Sequence, residues 1–230
     1  MSAEQDNIKN INDHYVIPFE REIYNNRNKA MEIVKCIMEI LHNAIDADAK
    51  NITLKILSDT YDTPVKLFIY NDGKEIQKDE IDKILVNGYS TRHKNESNVQ
   101  GKFGVGAALA SQNLSNKTTI TSKNKEDYYD CVSDWIDMVE KNTNIPYIKT
   151  SEVKNKELYK EFGDKGVLFT FEALTQIVTK YTKNELEERL VRCIKNTFFD
   201  LGNKFVIKIN DILIDKHFDI IAKSANSCNS

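Results

Sequence analysis

An α/β fold is what this sequence predicts, on three observations. A helical period runs from Asn28 to Ala47, and alternating strand patterns follow at Asn51–Ile56 and Val65–Tyr70. A glycine cluster at Gly101–Gly106 then opens a second helix through Leu114. Segments of period 3.6 and period 2 therefore interleave along one chain, which is the pattern of helices laid on a sheet.

The first helix has apolar residues at Met31, Val34, Ile37, Leu41 and Ala44. Glu39, Asn43 and Asp46 stand at i, i+4 and i+7, so they project from one stripe of it. A carboxylate, an amide and a second carboxylate in line suit a polar ligand with a metal. The Glu would activate water, the Asn carbonyl would hold Mg²⁺, and the Asp would lie further along. The competing reading is a solvated helix face.

After the strand pair, stopped by Asn71-Asp72-Gly73, Lys78 to Leu85 reads as a short helix with Ile81, Ile84 and Leu85 on one side. Asn87 to Gln100 is a long polar stretch centred on Ser90–Lys94, and its length inside a compact domain predicts a functional lid. Thr118–Thr121 and Gly166–Phe171 read as strands. The region between them, residues 124–165, holds the only Trp and reads as an insertion. Thr182 and Glu185 form a capping-box pattern before a helix bearing Leu186, Leu190, Ile194 and Phe198, with Gly202 as its stop. Phe205–Ile209, Asn210-Asp211 and Ile212–Ile214 predict a hairpin, and the tail after Ala222 is polar. Residues 1–26 are then an N-terminal extension, 27–176 a ligand-binding domain, and 177–230 a helix plus hairpin.

Composition narrows the function classes. With 230 residues, 40% apolar and 29% charged, the chain is of ordinary globular make-up and able to bury roughly 70–75% of its unfolded surface. The net charge of −3 supplies no global basic field, so nucleic acid would need a local patch. Cys36, Cys131, Cys193 and Cys228 are scattered without a C-x-x-C, so neither a zinc site nor a disulfide framework is expected. Reduced thiols fit a cytoplasmic setting best, with a nuclear one left open. No apolar run approaches the ~18 residues of a membrane span, and the polar opening Met1–Asp13 is no signal peptide.

Gly101, Gly104 and Gly106 could mark only a tight loop. Their place before a helix favours phosphate, because backbone N–H groups freed at a helix start bind anions when no side chain intervenes. No Gly-Lys-Ser/Thr ends the cluster, so it is not a Walker loop. It follows a polar loop and not a strand, so it is not a dinucleotide fingerprint either.

The order of these features resembles the GHKL superfamily, the ATP-binding fold shared by DNA gyrase, the ninety-kilodalton heat-shock chaperones, MutL, MORC proteins and histidine kinases. Glu39-Ile40-Leu41-His42-Asn43-Ala44-Ile45-Asp46-Ala47 resembles that family's first box, E-x-x-x-N-A-x-D-A. Gly101-Lys102-Phe103-Gly104-Val105-Gly106 is similar to the chaperones' G-Q-F-G-V-G, and Thr119–Lys123 to the strand that follows it there. The resemblance covers roughly residues 27 to 175. It implies a two-layer α/β sandwich of the Bergerat type, with a mixed, mainly antiparallel sheet.

The resemblance also implies roles. Glu39 would be the general base, Asn43 the Mg²⁺ ligand and a nucleotide contact, and Asp46 a further contact. Gly101, Gly104, Val105 and Gly106 would cradle the phosphates, with Lys102 adding charge. Two departures fall on the base-reading positions. The family's second box is D-x-G-x-G, where this chain has Asn71-Asp72-Gly73-Lys74-Glu75, so Asn71 replaces the adenine-reading Asp and only Gly73 is kept. The fourth box runs G-T-x-V-x-F, where this chain has Gly166–Phe171, so Val167 replaces a Thr. Whether the base is adenine, another purine or absent stays open on the sequence.

Three functions compete. One is a Mg²⁺-dependent nucleoside triphosphatase acting on ATP or another purine triphosphate. A second is a binding module, either a nucleotide-gated clamp that closes as a homodimer or with a partner protein completing its site, or a degenerate domain that does not hydrolyse. The third is a chaperone-like protein. In MutL- and MORC-like relatives a transducer domain supplies a Lys to the γ-phosphate, and Ile177–Ser230 resembles only the beginning of one.

Overall fold

The computed structural model describes residues 9–11, 14–16, 31–85, 106–124, 127–141, 147–149, 163, 165–198 and 204–214. Lys9–Ile11 (β1) and His14–Val16 (β2) form a two-stranded antiparallel pair of their own. The main body runs α1 (Ile33–Asp46), β3 (Asn51–Ser58), β4 (Pro64–Asn71), α2 (Gly106–Leu114), β5 (Ser115–Asn124) and β6 (Asp127–Asp134). It continues with α3 (Trp135–Glu140), β7 (Tyr147–Lys149), β8 (Lys165–Leu174), α4 (Gln176–Thr179), α5 (Lys183–Phe198), β9 (Val206–Ile209) and β10 (Ile212–Ile214).

One sheet takes the order β10-β9-β3-β4-β8-β5-β6-β7. Every pairing in it is antiparallel except β3 with β9. The predicted mixed, mainly antiparallel α/β sandwich is therefore present. One face of the sheet turns to the helices: Ile52, Leu54 and Ile56 of β3, Leu67 and Ile69 of β4, and Val167, Phe169 and Phe171 of β8 join α1, α2 and α5 in a single core. Phe68, Tyr70 and Leu168 form a separate small cluster on the other face.

Helix α1 forms because Ile33, Ile37, Ile40, Leu41 and Ala44 recur on one side and are all buried. Each large aliphatic side chain there contributes about 1.5–3 kcal/mol on burial. The helix stops in a Schellman turn: Ala49 N–H donates to Ala44 C=O and Asp48 N–H to Ile45 C=O, with Asp48 at φ 65°. That reversal feeds the chain straight into β3 and leaves the last turn of α1 beside the strand ends. At the other edge, the capping box closes as the sequence implies. Thr182 N–H donates to Glu185 Oε2 at 2.9 Å, and Glu185 N–H returns to Thr182 Oγ1 at 3.2 Å. Leu186, Leu190, Ile194 and Phe198 are buried along α5.

One expectation is corrected. Lys78–Leu85 is a run of turns and not a helix, with Glu80 N–H on Gln77 C=O and Lys83 N–H on Glu80 C=O. Its Ile81 and Leu85 are still buried. Two β-branched residues in so short a segment cannot repay helix nucleation, so packing decides its shape. Residues 124–165, expected as an insertion, contain β6 and β7 of the sheet and the helix α3, and Trp135 and Met138 enter the main core. Beyond the expected boundary at 176 the chain continues in the same sheet and core. β9 pairs with β3, and α5 shares the core of α1 through His42 and Phe198, whose rings meet edge-on at 5.2 Å. The hairpin is pinned by Asn210, whose Oδ1 accepts from Ile56 N–H and whose Nδ2 donates to Glu187.

Candidate nucleotide site

The site gathers at one end of the sheet, where α1, β4, β8, β5 and α2 meet. The row of residues paired across the strands there is Ile207, Ile52, Asn71, Val167, Ser122 and Tyr129. It is apolar on the β9 side and polar at its centre. Asn71 is 3% exposed, an amide placed where the alternation of β4 calls for a third aliphatic after Leu67 and Ile69. Asn71 and Val167, the two departures in the sequence, are direct cross-strand partners.

The exit of β4 is tied to the end of α1. Lys74 N–H donates to Ala47 C=O at 2.8 Å. Gly73 is pressed so close that a Cβ there would lie 2.7 Å from the Ala47 oxygen and 2.9 Å from Asn71 Oδ1, which is why only glycine fits. Gly73 N–H donates to Asn71 Oδ1 at 3.1 Å, and Asn71 Nδ2 donates to Val167 C=O over a long 3.4 Å. On the far side Ser122 clasps the same segment, donating to Ile76 C=O and accepting from Ile76 N–H, both at 2.8 Å.

Asp72 does not enter this site. Its carboxylate accepts from Lys50 N–H at 2.7 Å and from Asn51 N–H and Nδ2 at 2.8 and 2.7 Å. Partial burial pushes its pKa up, but the hydrogen bonds from Asn51, Lys50 and its own N–H together outweigh this and hold the carboxyl below its ordinary value. A carboxyl lowered on folding contributes stability above its unfolded pKa and loses it as pH falls through the folded one. Asp72→Ala should therefore melt below the wild type at neutral pH, and the gap should narrow below about pH 4, where the unfolded carboxyl protonates. Melting curves at several pH values check this, and a gap independent of pH would contradict it.

On α1, Glu39 and Asn43 are half-buried and Asp46 is exposed. Glu39 Oε2 lies 2.5 Å from where a Cβ would stand on Gly106, the first residue of α2. A carboxylate and the start of a helix are thus brought together across α1 and α2, and a side chain at 106 would displace the carboxylate. One turn back, burial first and the Glu39 charge second push the Cys36 thiol up to about 12. Cys36 is a protonated core residue and no nucleophile. Asn43 has no side-chain hydrogen bond among the described residues, so its carbonyl is available to a cation. Among those residues no three His, Cys, Asp or Glu gather as a metal cage. Mg²⁺ fits such a place, because it takes few protein oxygens and completes its shell from phosphates and water.

Gly101, Lys102, Gly104 and Val105, with the stretch 87–100 expected as a lid, lie outside the described residues. So do Gly202 and the tail after Ala222. Sequence reasoning missed two residues of the site. Gly166 stands at φ 124°, where an added Cβ would run into the Asn71 carbonyl, and Ser122 anchors the turn after Gly73. Its place as the first residue of the fourth box was the signal for the first. The second is one hydroxyl in a strand rich in Ser and Thr, with no local mark.

The family model described as histidine kinase-, DNA gyrase B-, and HSP90-like ATPase matches residues 31–165 of the 230. That span holds α1, β4, α2 and β5 and so most of the geometry above. No curated protein matches the chain. No helix among the described residues is long and apolar enough to cross a membrane.

Proposed function

Because the chain belongs to the histidine kinase-, DNA gyrase B- and HSP90-like ATPase family, we propose that it binds a purine nucleoside triphosphate with Mg²⁺ and hydrolyses it slowly. The observation that carries this reading is the approach of the Glu39 carboxylate to Gly106 at the start of α2. A base able to take a proton from water then sits beside a helix start suited to phosphate. Asn43, one turn along α1, would hold the metal, and Asp46 lies further out on the same stripe. Bound Mg²⁺ would neutralise charge on the phosphate oxygens.

The chain's own residues divide the remaining work. Gly73 lets the β4 exit lie flat on α1, and Ser122 holds the segment beyond it. Asn71 and Val167 form the floor where the base would rest, and the glycines from 101 to 106 would line the phosphates. Slow turnover fits a switch in which the bound triphosphate closes a homodimer, or a complex with a partner protein, and hydrolysis resets it. Phosphate release measured alongside nucleotide-dependent mass tests both halves of the proposal. Release without a mass change would leave a simple hydrolase, and a mass change without release would leave a clamp.

Asn43→Ala should weaken triphosphate binding only when Mg²⁺ is present, since the amide carbonyl is among the few ligands Mg²⁺ takes from protein. Calorimetry with and without the metal measures this. Equal wild-type affinity in the two conditions would remove Asn43 from metal binding.

A further inference from the structure

We infer that Asn71 presents a hydrogen-bond donor to the base, so that the site takes a 6-oxopurine nucleoside triphosphate at least as well as the adenine one. This rests on the nucleotide reading above and names the substrate class for the same site. The sequence leaves the amide free to offer either its carbonyl or its NH₂, and the structure removes that freedom. The two partners of the side chain are both backbone groups. Gly73 N–H can only donate, so it must face Oδ1; Val167 C=O can only accept, so it must face Nδ2. An amide held between an obligate donor and an obligate acceptor has one orientation.

The two ends are then unequal. Oδ1 already accepts from Gly73 N–H, and a carbonyl oxygen with one of its two lone pairs filled is tolerated in an interior more readily than an N–H without an acceptor. Nδ2 has two hydrogens and gives one to Val167, at the long distance of 3.4 Å. The second has no acceptor among the described residues, in a residue only 3% exposed. An interior N–H without an acceptor is costly, so it calls for a ligand that supplies one. Adenine turns an amino donor to that position, whereas a 6-oxopurine turns O6, an acceptor.

Among the described residues beside Asn71, none reverses this polarity. Val167 has no hydroxyl with which to hold a water that would turn the donor into an acceptor. Ser122, the next residue in the row, has already given its one proton to Ile76 C=O. An Asp at position 71 would set a carboxylate oxygen against the Val167 carbonyl, two acceptors face to face.

The test is calorimetry of the full chain with Mg²⁺ and inosine, guanosine or adenosine triphosphate. Inosine triphosphate changes the group at position 6 without adding one at position 2, so its comparison with ATP decides. Inosine triphosphate binding as tightly as ATP, or more tightly, is the expected result, and tighter binding of ATP overturns the inference. The guanosine arm adds whether the 2-amino group is tolerated. Asn71→Asp should move the ratio toward ATP by tenfold or more, about 1.4 kcal/mol, and an unmoved ratio would take the base away from residue 71. Should that variant fail to fold, the wild-type comparison still decides. Tight ATP binding with weak inosine triphosphate leaves the nucleotide reading standing, whereas binding of no triphosphate overturns both.

Discussion

Glu39→Ala should lower triphosphate hydrolysis by roughly 10²–10⁴-fold, the usual contribution of a positioned general base, while nucleotide affinity stays nearly unchanged. The carboxylate is half-buried on α1 and lies against Gly106 at the start of α2, where attacking water and the terminal phosphate would meet. Removing it opens space and removes no apolar packing, because the buried side of α1 is carried by Ile37, Ile40 and Leu41. The fold should therefore hold. Glu39→Gln separates chemistry from shape: it keeps the volume beside Gly106 and loses the base, so it should be as slow as the alanine variant. Single-turnover phosphate release beside an equilibrium binding curve makes the measurement. Unchanged turnover in either variant would take Glu39 out of the mechanism.

What could be read from the sequence depended on how far apart the interacting residues lie. Helices α1 and α5 and the β9–β10 hairpin were legible because their signals are local. Apolar residues recur at the helical period, Thr182 and Glu185 mark a start, and Asn210-Asp211 marks a turn, with Asn210 at φ 50°. The place of the hairpin was not legible. It lies beside β3 through Asn210, and nothing near position 210 announces Ile56 or Glu187 as partners. Strand β6 was hidden for a different reason. Its buried positions include Cys131 and Ser133 among Asp and Tyr residues, so it has no apolar run. Lys78–Leu85 failed in the opposite sense, with a helical period too short to hold a helix.

The site divides along the same line. The Glu39, Asn43 and Asp46 stripe is a one-helix pattern, and the resemblance placed Asn71, Gly73, Gly106 and Val167 beside it in order. That Asn71 and Val167 are cross-strand partners required the register of β4 on β8. That Asp72 is spent on Lys50 and Asn51 required the start of β3. Ser122 needed both the register of β5 and the path of the chain after Gly73. Single-residue contacts made by backbone groups leave no trace in residue type. Glycine is the exception, because the absence of a side chain can itself be the signal.

Gly166 is the strongest such case, and Gly166→Ala should cost about 2–6 kcal/mol of folding stability, the sum of a strained backbone and an overpacked contact at roughly 1–3 kcal/mol each. Its φ of 124° is one that L side chains rarely adopt. A Cβ there would run into the Asn71 carbonyl oxygen and lie 2.9 Å from Asp72 Cα. These are backbone atoms, so no rotamer change relieves the clash, and β4 and β8 must part where Asn71 pairs with Val167. A loss of that size is a large share of the ~5–15 kcal/mol that holds a domain folded. Gly163 is the internal control. It too has a positive φ, 85°, but it is exposed and its added Cβ would meet only the Tyr70 hydroxyl, at 3.1 Å. Gly163→Ala should therefore cost clearly less. Urea denaturation of both variants beside the wild type gives the comparison, and equal midpoints for wild type and Gly166→Ala would mean that β4 and β8 do not meet as described. Any of the Gly166 variant that does fold should also have lost the distance from Asn71 to Val167, and with it the fixed orientation of the amide on the floor of the site.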